Sequence, residues 1–242
     1  MKIISSTARS RSAAFEQALP VPLVVQPVKS ARVLRLRFDA GRGILKLTCP
    51  ARMSRHKALA WAADQQEWID AQLAKALPAI PFAPGSLIPI EGRDVAIAWS
   101  ETDRRTPRLE GDVLRCGGPA EGLAKRIENF LKRRAVDLLS SETAEFAALA
   151  GVRPRSVGVG DADTRWGSCS ASGRIRYSWR LVLAPPAARR FVVAHEVAHL
   201  VHLNHGRDFK TLERRLYGAG LSEAQALLRR VGPRLKRVGR GL

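Results

Sequence analysis

FVVAHEVAHLVHLNHGRDF, residues 191–209, is the stretch on which the reading of this chain turns. Its apolar residues recur at helical spacing, and Pro185 and Pro186 stand where a helix would begin, a place that suits proline. His195 and His199 lie four residues apart. On an α-helix that is a rotation of about 40°, so both imidazoles leave one face and can meet on one ion. Ionisable groups in so apolar a helix are costly without a partner. A divalent ion supplies one: zinc takes imidazole nitrogen at about 2.0–2.1 Å and, in catalytic sites, three protein ligands plus a water. Glu196, next round the helix, can reach that water as a general base without ligating the metal. Together these residues make the H-E-x-x-H pattern of zinc hydrolases.

Two histidines, His202 and His205, compete for the third place. His202 shares the face of His195, but seven residues rise about 10.5 Å along a straight helix. Nitrogens around one zinc are only about 3–3.5 Å apart, given bonds of that length. His205 fits if the helix ends near Leu203 and the chain turns back. Asn204 tolerates a left-handed cap, and Gly206 loosens the turn. The reading therefore takes His195, His199 and His205 as ligands of one Zn²⁺ per chain. His202 then supports them or merely packs. A carboxylate from the next helix, such as Glu213, is the other candidate for the third ligand.

Working outward, VLRLRF (33–38) and ILKLTCP (44–50) alternate with period two about the turn GRG, predicting a hairpin. Ser54 is placed to cap one helix carrying Ala58, Leu59, Ala62, Trp68, Ile69 and Leu73. The Pro-rich LPAIPFAPG (77–85) ends that unit. DVAIAWS and DVLRCGG predict further antiparallel strands, and 123–149 is helical by pattern. A hairpin about residues 171–173 precedes the histidine helix, and two basic helical segments close the chain. The fold class is α+β: residues 1–25 a loose arm, 26–118 a β-rich region with one helix, 119–242 the part that carries the chemistry.

Lys and Arg number 41 against 22 Asp and Glu, a formal charge of +19. That excess suits a polyanionic partner, nucleic acid included, or a solvated arginine-rich surface. No apolar run reaches the ~18–20 residues of a membrane span, and the first twenty residues do not read as a secretory signal. Three distant cysteines, Cys49, Cys116 and Cys169, argue against a disulfide framework. The expectation is a cytoplasmic protein without a membrane partner. Oligomeric state is not readable.

TRWGSCS (164–170), WRLVLAPP (179–186) and the histidine stretch, in this order and spacing, resemble the YgjP-like metallopeptidase domain, a family related to the SprT and WLM zinc proteases. The resemblance runs through the N-terminal strands and PGSLIPIEG (84–92) as well. It implies a small zincin-like domain with an active-site helix behind a β-rich region, His195, His199 and His205 on zinc, Glu196 as catalytic base, and a protein or peptide substrate. Ser178 stands where the family usually has asparagine, and Lys210 where it has an aromatic. In TRWGSC, Arg165 and Trp166 could line a substrate cleft, with Gly167 admitting a close-running chain. Trp166 could instead pack beneath the helix, and Arg165 could pair with Asp161 or Asp163. Cys169 reads as a small buried residue or a redox-sensitive thiol. Two other functions are consistent with these residues: zinc-dependent hydrolysis of nucleotide phosphate anhydrides, and a basic nucleic-acid-associated module that localises proteolysis.

Overall fold

The computed structural model describes residues 15–16, 19, 21–76, 78–162 and 165–240. The chain forms two compact units that divide between Ala79 and Ile80. The expected boundary at 118 is therefore too late. Residues 86–117 form a sheet whose buried side chains, Ile88, Ile90, Val95, Ile97 and Leu114, belong to the same core as the helices that follow.

In the first unit, β2 (Arg35–Asp39) and β3 (Ile44–Pro50) form the expected antiparallel hairpin. Most of the expected arm at 1–25 lies outside the described residues. Its end is not loose: β1 (Leu23–Val28) pairs parallel with β3. As an edge strand with apolar residues on both faces it lacks clean alternation, and Pro27 costs no ladder bond at such an edge. The Ser54 hydroxyl accepts from Lys57 N–H at 3.4 Å and caps α1 (Arg55–Ala63). A turn at Asp64–Gln65 separates α1 from α2 (Gln66–Ala74), so the expected single helix is two. Ala62 and Ile69 are seven residues apart, in phase with an unbroken helix, which hides the break from a periodicity reading.

The second unit begins with β4 (Leu87–Ile90), β5 (Arg93–Ser100), β6 (Arg108–Glu110) and β7 (Val113–Gly117). Their order is β4-β5-β7-β6. The chain passes to the outside at β6 and returns, so β5 and β7 run parallel where antiparallel pairing was expected. α3 (Leu123–Ala150) buries Leu123, Ile127, Leu131, Ala135 and Leu139 along an i, i+4 stripe, and Gly151 ends it at φ 69°, the left-handed cap. β8 (Ser156–Gly160), β9 (Gly167–Cys169) and β10 (Arg174–Ser178) make a small sheet in the order β8-β10-β9. The turn at 171–173 closes the expected β9–β10 hairpin, and β9 pairs with no second strand among the described residues. A buried 3-10 turn, Trp179–Leu183, leads into α4 (Pro186–Ala198).

α4 is the helix predicted from the histidine stretch. Nine of its residues are buried, and it contacts α3, β9, α5 (Arg207–Tyr217) and α6 (Leu221–Leu235). Arg189 near its start donates to Glu142 of α3 through Nε at 3.0 Å and Nη2 at 2.8 Å, both side chains under a tenth exposed. A bidentate, desolvated pair of this kind fixes how α4 rotates against α3, and the histidines depend on that rotation. Mixed helices and small sheets make the fold α+β, as expected.

Candidate metal centre

His195 sits in the last turn of α4, and His199 is its C-terminal cap. The helix stops at Ala198, five residues earlier than the expected end at Leu203. The chain leaves through short turns, Leu200 N–H to Val197 O and Val201 N–H to Ala198 O. It then returns through residues 202–206 to bring His205 back over the helix end. Asn204 does not take the left-handed cap conformation expected of it, since Glu91 is the one non-glycine at positive φ among the described residues, and Gly206 lies at φ −70°. Local i→i+3 closure makes the reversal instead.

One nitrogen from each of His195, His199 and His205 lies within 4.8 Å of the others, and the Nε2 atoms of His195 and His205 are 3.2 Å apart. The second distance is what two imidazoles on one zinc require. In His195 and His199 the other ring nitrogen is occupied. His195 Nδ1–H donates to Glu213 Oε1 at 2.7 Å, and His199 Nδ1–H donates to the His202 carbonyl at 3.0 Å. Both bonds place the proton on Nδ1 and leave the Nε2 lone pair free, the arrangement by which outer groups orient metal-binding histidines. Burial, with the neighbouring histidines, lowers the His199 pKa and favours the neutral ring. Phe209 of α5, 1% exposed, lies beneath all three rings at centroid distances of 5.0, 4.6 and 4.7 Å.

Glu196 does not join this cluster. Its carboxylate is 5% exposed, and Oε2 has no hydrogen-bond partner. Burial pushes its pKa up to about 7 against the lowering influence of His195 and Arg165. Gly167 packs directly on it: a Cβ there would come within 2.5 Å of Glu196 Oε1. The glycine that the sequence reading assigned to a close-running substrate thus first accommodates the carboxylate behind it.

The other foreseen residues separate. Arg165 is exposed, on the chain entering β9. The half-buried Trp166 ring lies against Gly232 of α6, with Lys236 Nζ 5.3 Å from its centroid. The aromatic surface is spent on packing, though against α6. His202 contributes its backbone carbonyl, and its side chain lies outside the nitrogen cluster. Cys169 is half-buried, its thiol pKa raised by burial and by Glu196, and is no part of the histidine cluster. Sequence reasoning gave Phe209 no role and weighed Glu213 only as a ligand. The structure puts the Glu213 carboxylate behind His195.

The donor set fits zinc: three converging imidazoles, two of them oriented through Nδ1, are the protein share of a catalytic site. Glu213→Gln keeps the shape of the side chain and weakens the bond to His195 Nδ1. Zinc affinity then falls about 10–100-fold, measured by competition with a chelating dye, while the helical circular dichroism is unchanged. Undiminished affinity would show that the bond does not orient His195.

A family model described as YgjP-like, metallopeptidase domain, matches residues 32–230. No curated protein and no solved structure matches the chain. Among the described residues no helix is long and apolar enough to cross a membrane.

Proposed function

Since the chain belongs to the YgjP-like metallopeptidase family, we propose that it is a zinc-dependent peptidase with His195, His199 and His205 as ligands and Glu196 as general base. The observation that carries this reading is the convergence of three imidazoles, two of them oriented through Nδ1, beside a buried carboxylate whose Oε2 has no hydrogen-bond partner. Zinc bound there supplies Lewis acidity toward a carbonyl oxygen and lowers the pKa of water to about 7. Glu196 takes a proton from the attacking water and carries it to the leaving amine. A carboxylate whose pKa is near neutral is suited to both transfers. β9 packs beside α4 and pairs with no second strand among the described residues, which supports backbone pairing with an extended peptide. Gly167 keeps that strand against Glu196, so a peptide on its edge runs close to the base.

The test is direct. Purified protein loaded with zinc cleaves a mixed fluorogenic peptide pool, a chelator stops cleavage, and added zinc restores it. Phosphate or pyrophosphate release from nucleoside triphosphates, with no peptide cleaved, would overturn the proposal in favour of anhydride hydrolysis.

A further inference from the structure

At the small sheet lies a cavity of about 290 Å³, whose lining includes Gly160, Asp161, Arg165, Gly167, Ser168 and Arg176. Two of its walls are glycines, and neither has a positive φ, so space and not backbone conformation calls for them. A Cβ on Gly160 would stand 2.6 Å from Arg176 Nε and 2.8 Å from its Nη2. Gly160 therefore seats the Arg176 guanidinium, as Gly167 seats the Glu196 carboxylate. Gly167 thus borders both the cavity and the proposed base.

Two guanidinium groups in this cavity have no carboxylate bound to them among the described residues. Asp161 is held by Arg180, and by Arg240 at 3.5 Å. Arg165 and Arg176 are exposed and make no ion pair among the described residues. Arg176 stands directly across from Ser168 of β9 in the antiparallel register. Side chains alternate along a strand, so if position 167 faces Glu196, position 168 faces the cavity. A peptide paired along the other edge of β9 presents alternate side chains to that same face. Neighbouring strands are about 4.8 Å apart, so two spacings are about 10 Å, a gap that an arginine and an acidic side chain close together. A guanidinium without a partner binds carboxylate in a bidentate, charge-assisted manner.

We propose that this cavity receives a carboxylate of the peptide substrate close to the scissile bond, with Arg176 as the principal contact and Arg165 beside it. The inference rests on the peptidase reading and adds a substrate class to it: peptides with Asp or Glu near the cleaved bond, or with a free C-terminus there.

The experiment compares the zinc-loaded protein with Arg176→Glu and Arg176→Gln on matched fluorogenic peptides. These carry Glu, Gln or Lys at each position flanking the cleaved bond, each as free acid and as C-terminal amide. The ratio of kcat/KM between peptides is read within each protein, so differences in folded fraction cancel. The parent protein prefers Glu over Gln by at least about tenfold, the smallest effect expected of a charge-assisted hydrogen bond. Arg176→Gln brings that ratio to about one, and Arg176→Glu turns the preference toward Lys. A preference that vanishes on amidation assigns the carboxylate to the C-terminus. One that survives amidation assigns it to an acidic side chain. Equal rates on all three peptides, or a Glu preference that survives both substitutions, overturn the carboxylate site and leave the peptidase standing. Failure of the parent protein to cleave any peptide overturns the peptidase reading itself.

Discussion

Changing Glu196 to glutamine leaves zinc bound and lowers peptide cleavage by at least about 10²–10⁴-fold, the range that a positioned general base contributes. The substitution is close to isosteric, and it sits where no existing hydrogen bond is broken, because Glu196 Oε2 has no partner. It lies outside the cluster of three nitrogens, so the expected ligand set is intact. What disappears is a carboxylate beside the histidines, free of any hydrogen bond at Oε2, that is able to take a proton from water and return it to an amine. The readouts are metal content, thermal midpoint and kcat on a peptide that the parent protein cleaves. The first two stay near the parent values, and the third collapses. Cleavage at the parent rate by pure Glu196→Gln protein would remove Glu196 from the chemistry. Loss of zinc together with activity would mean that the carboxylate holds the metal, and the site would need another base.

Much of this site is local, and local features are what a sequence displays. His195, Glu196 and His199 take their places from the pitch of one helix. Even His205 follows from reach, since a histidine seven residues beyond the first ligand is too far along the axis and one in the return of the chain is not. How the chain returns was less legible. The reversal uses tight hydrogen-bonded turns just after Ala198, which any residues can make, and not the left-handed cap that Asn204 suggested. Glu213 and Phe209 belong to α5, and their places behind and beneath the histidines arise from the packing of α5 on α4. No spacing within the sequence encodes that packing. The same holds for Trp166, an aromatic beside a zinc motif whose ring is claimed by Gly232, sixty-six positions on. Strand pairing was hidden for a related reason. Alternation marked β2, β3, β5 and β7, but the parallel joining of β5 to β7 depends on where the intervening β6 goes.

His205→Ala and His202→Ala separate a ligand from a neighbour, and they have opposite expected outcomes. His205 brings its Nε2 to 3.2 Å from that of His195, on an exposed loop where alanine disturbs no core packing. Its removal leaves two protein ligands from one helix end, which is fewer than zinc sites of either kind use. Zinc affinity therefore falls by more than the about 10–100-fold that loss of a supporting hydrogen bond costs, and dialysed protein carries little metal. His202 touches the site through its carbonyl, which accepts from His199 Nδ1–H. Alanine at 202 retains that carbonyl, so the His199 tautomer and the bound zinc persist. Elemental analysis of both proteins after dialysis, beside the parent at about one zinc per chain, decides the matter. Equal zinc in the parent and in His205→Ala would exclude His205 as the third ligand. Glu213, the other candidate in the sequence, would then be the alternative, and its carboxylate would have to leave His195 Nδ1, where it now lies at 2.7 Å behind the ring. In that case Glu213→Gln would strip the metal outright instead of weakening it. The two histidine variants and the glutamine variant thus distinguish a three-histidine site from a two-histidine, one-carboxylate site by metal content alone, before any substrate is known.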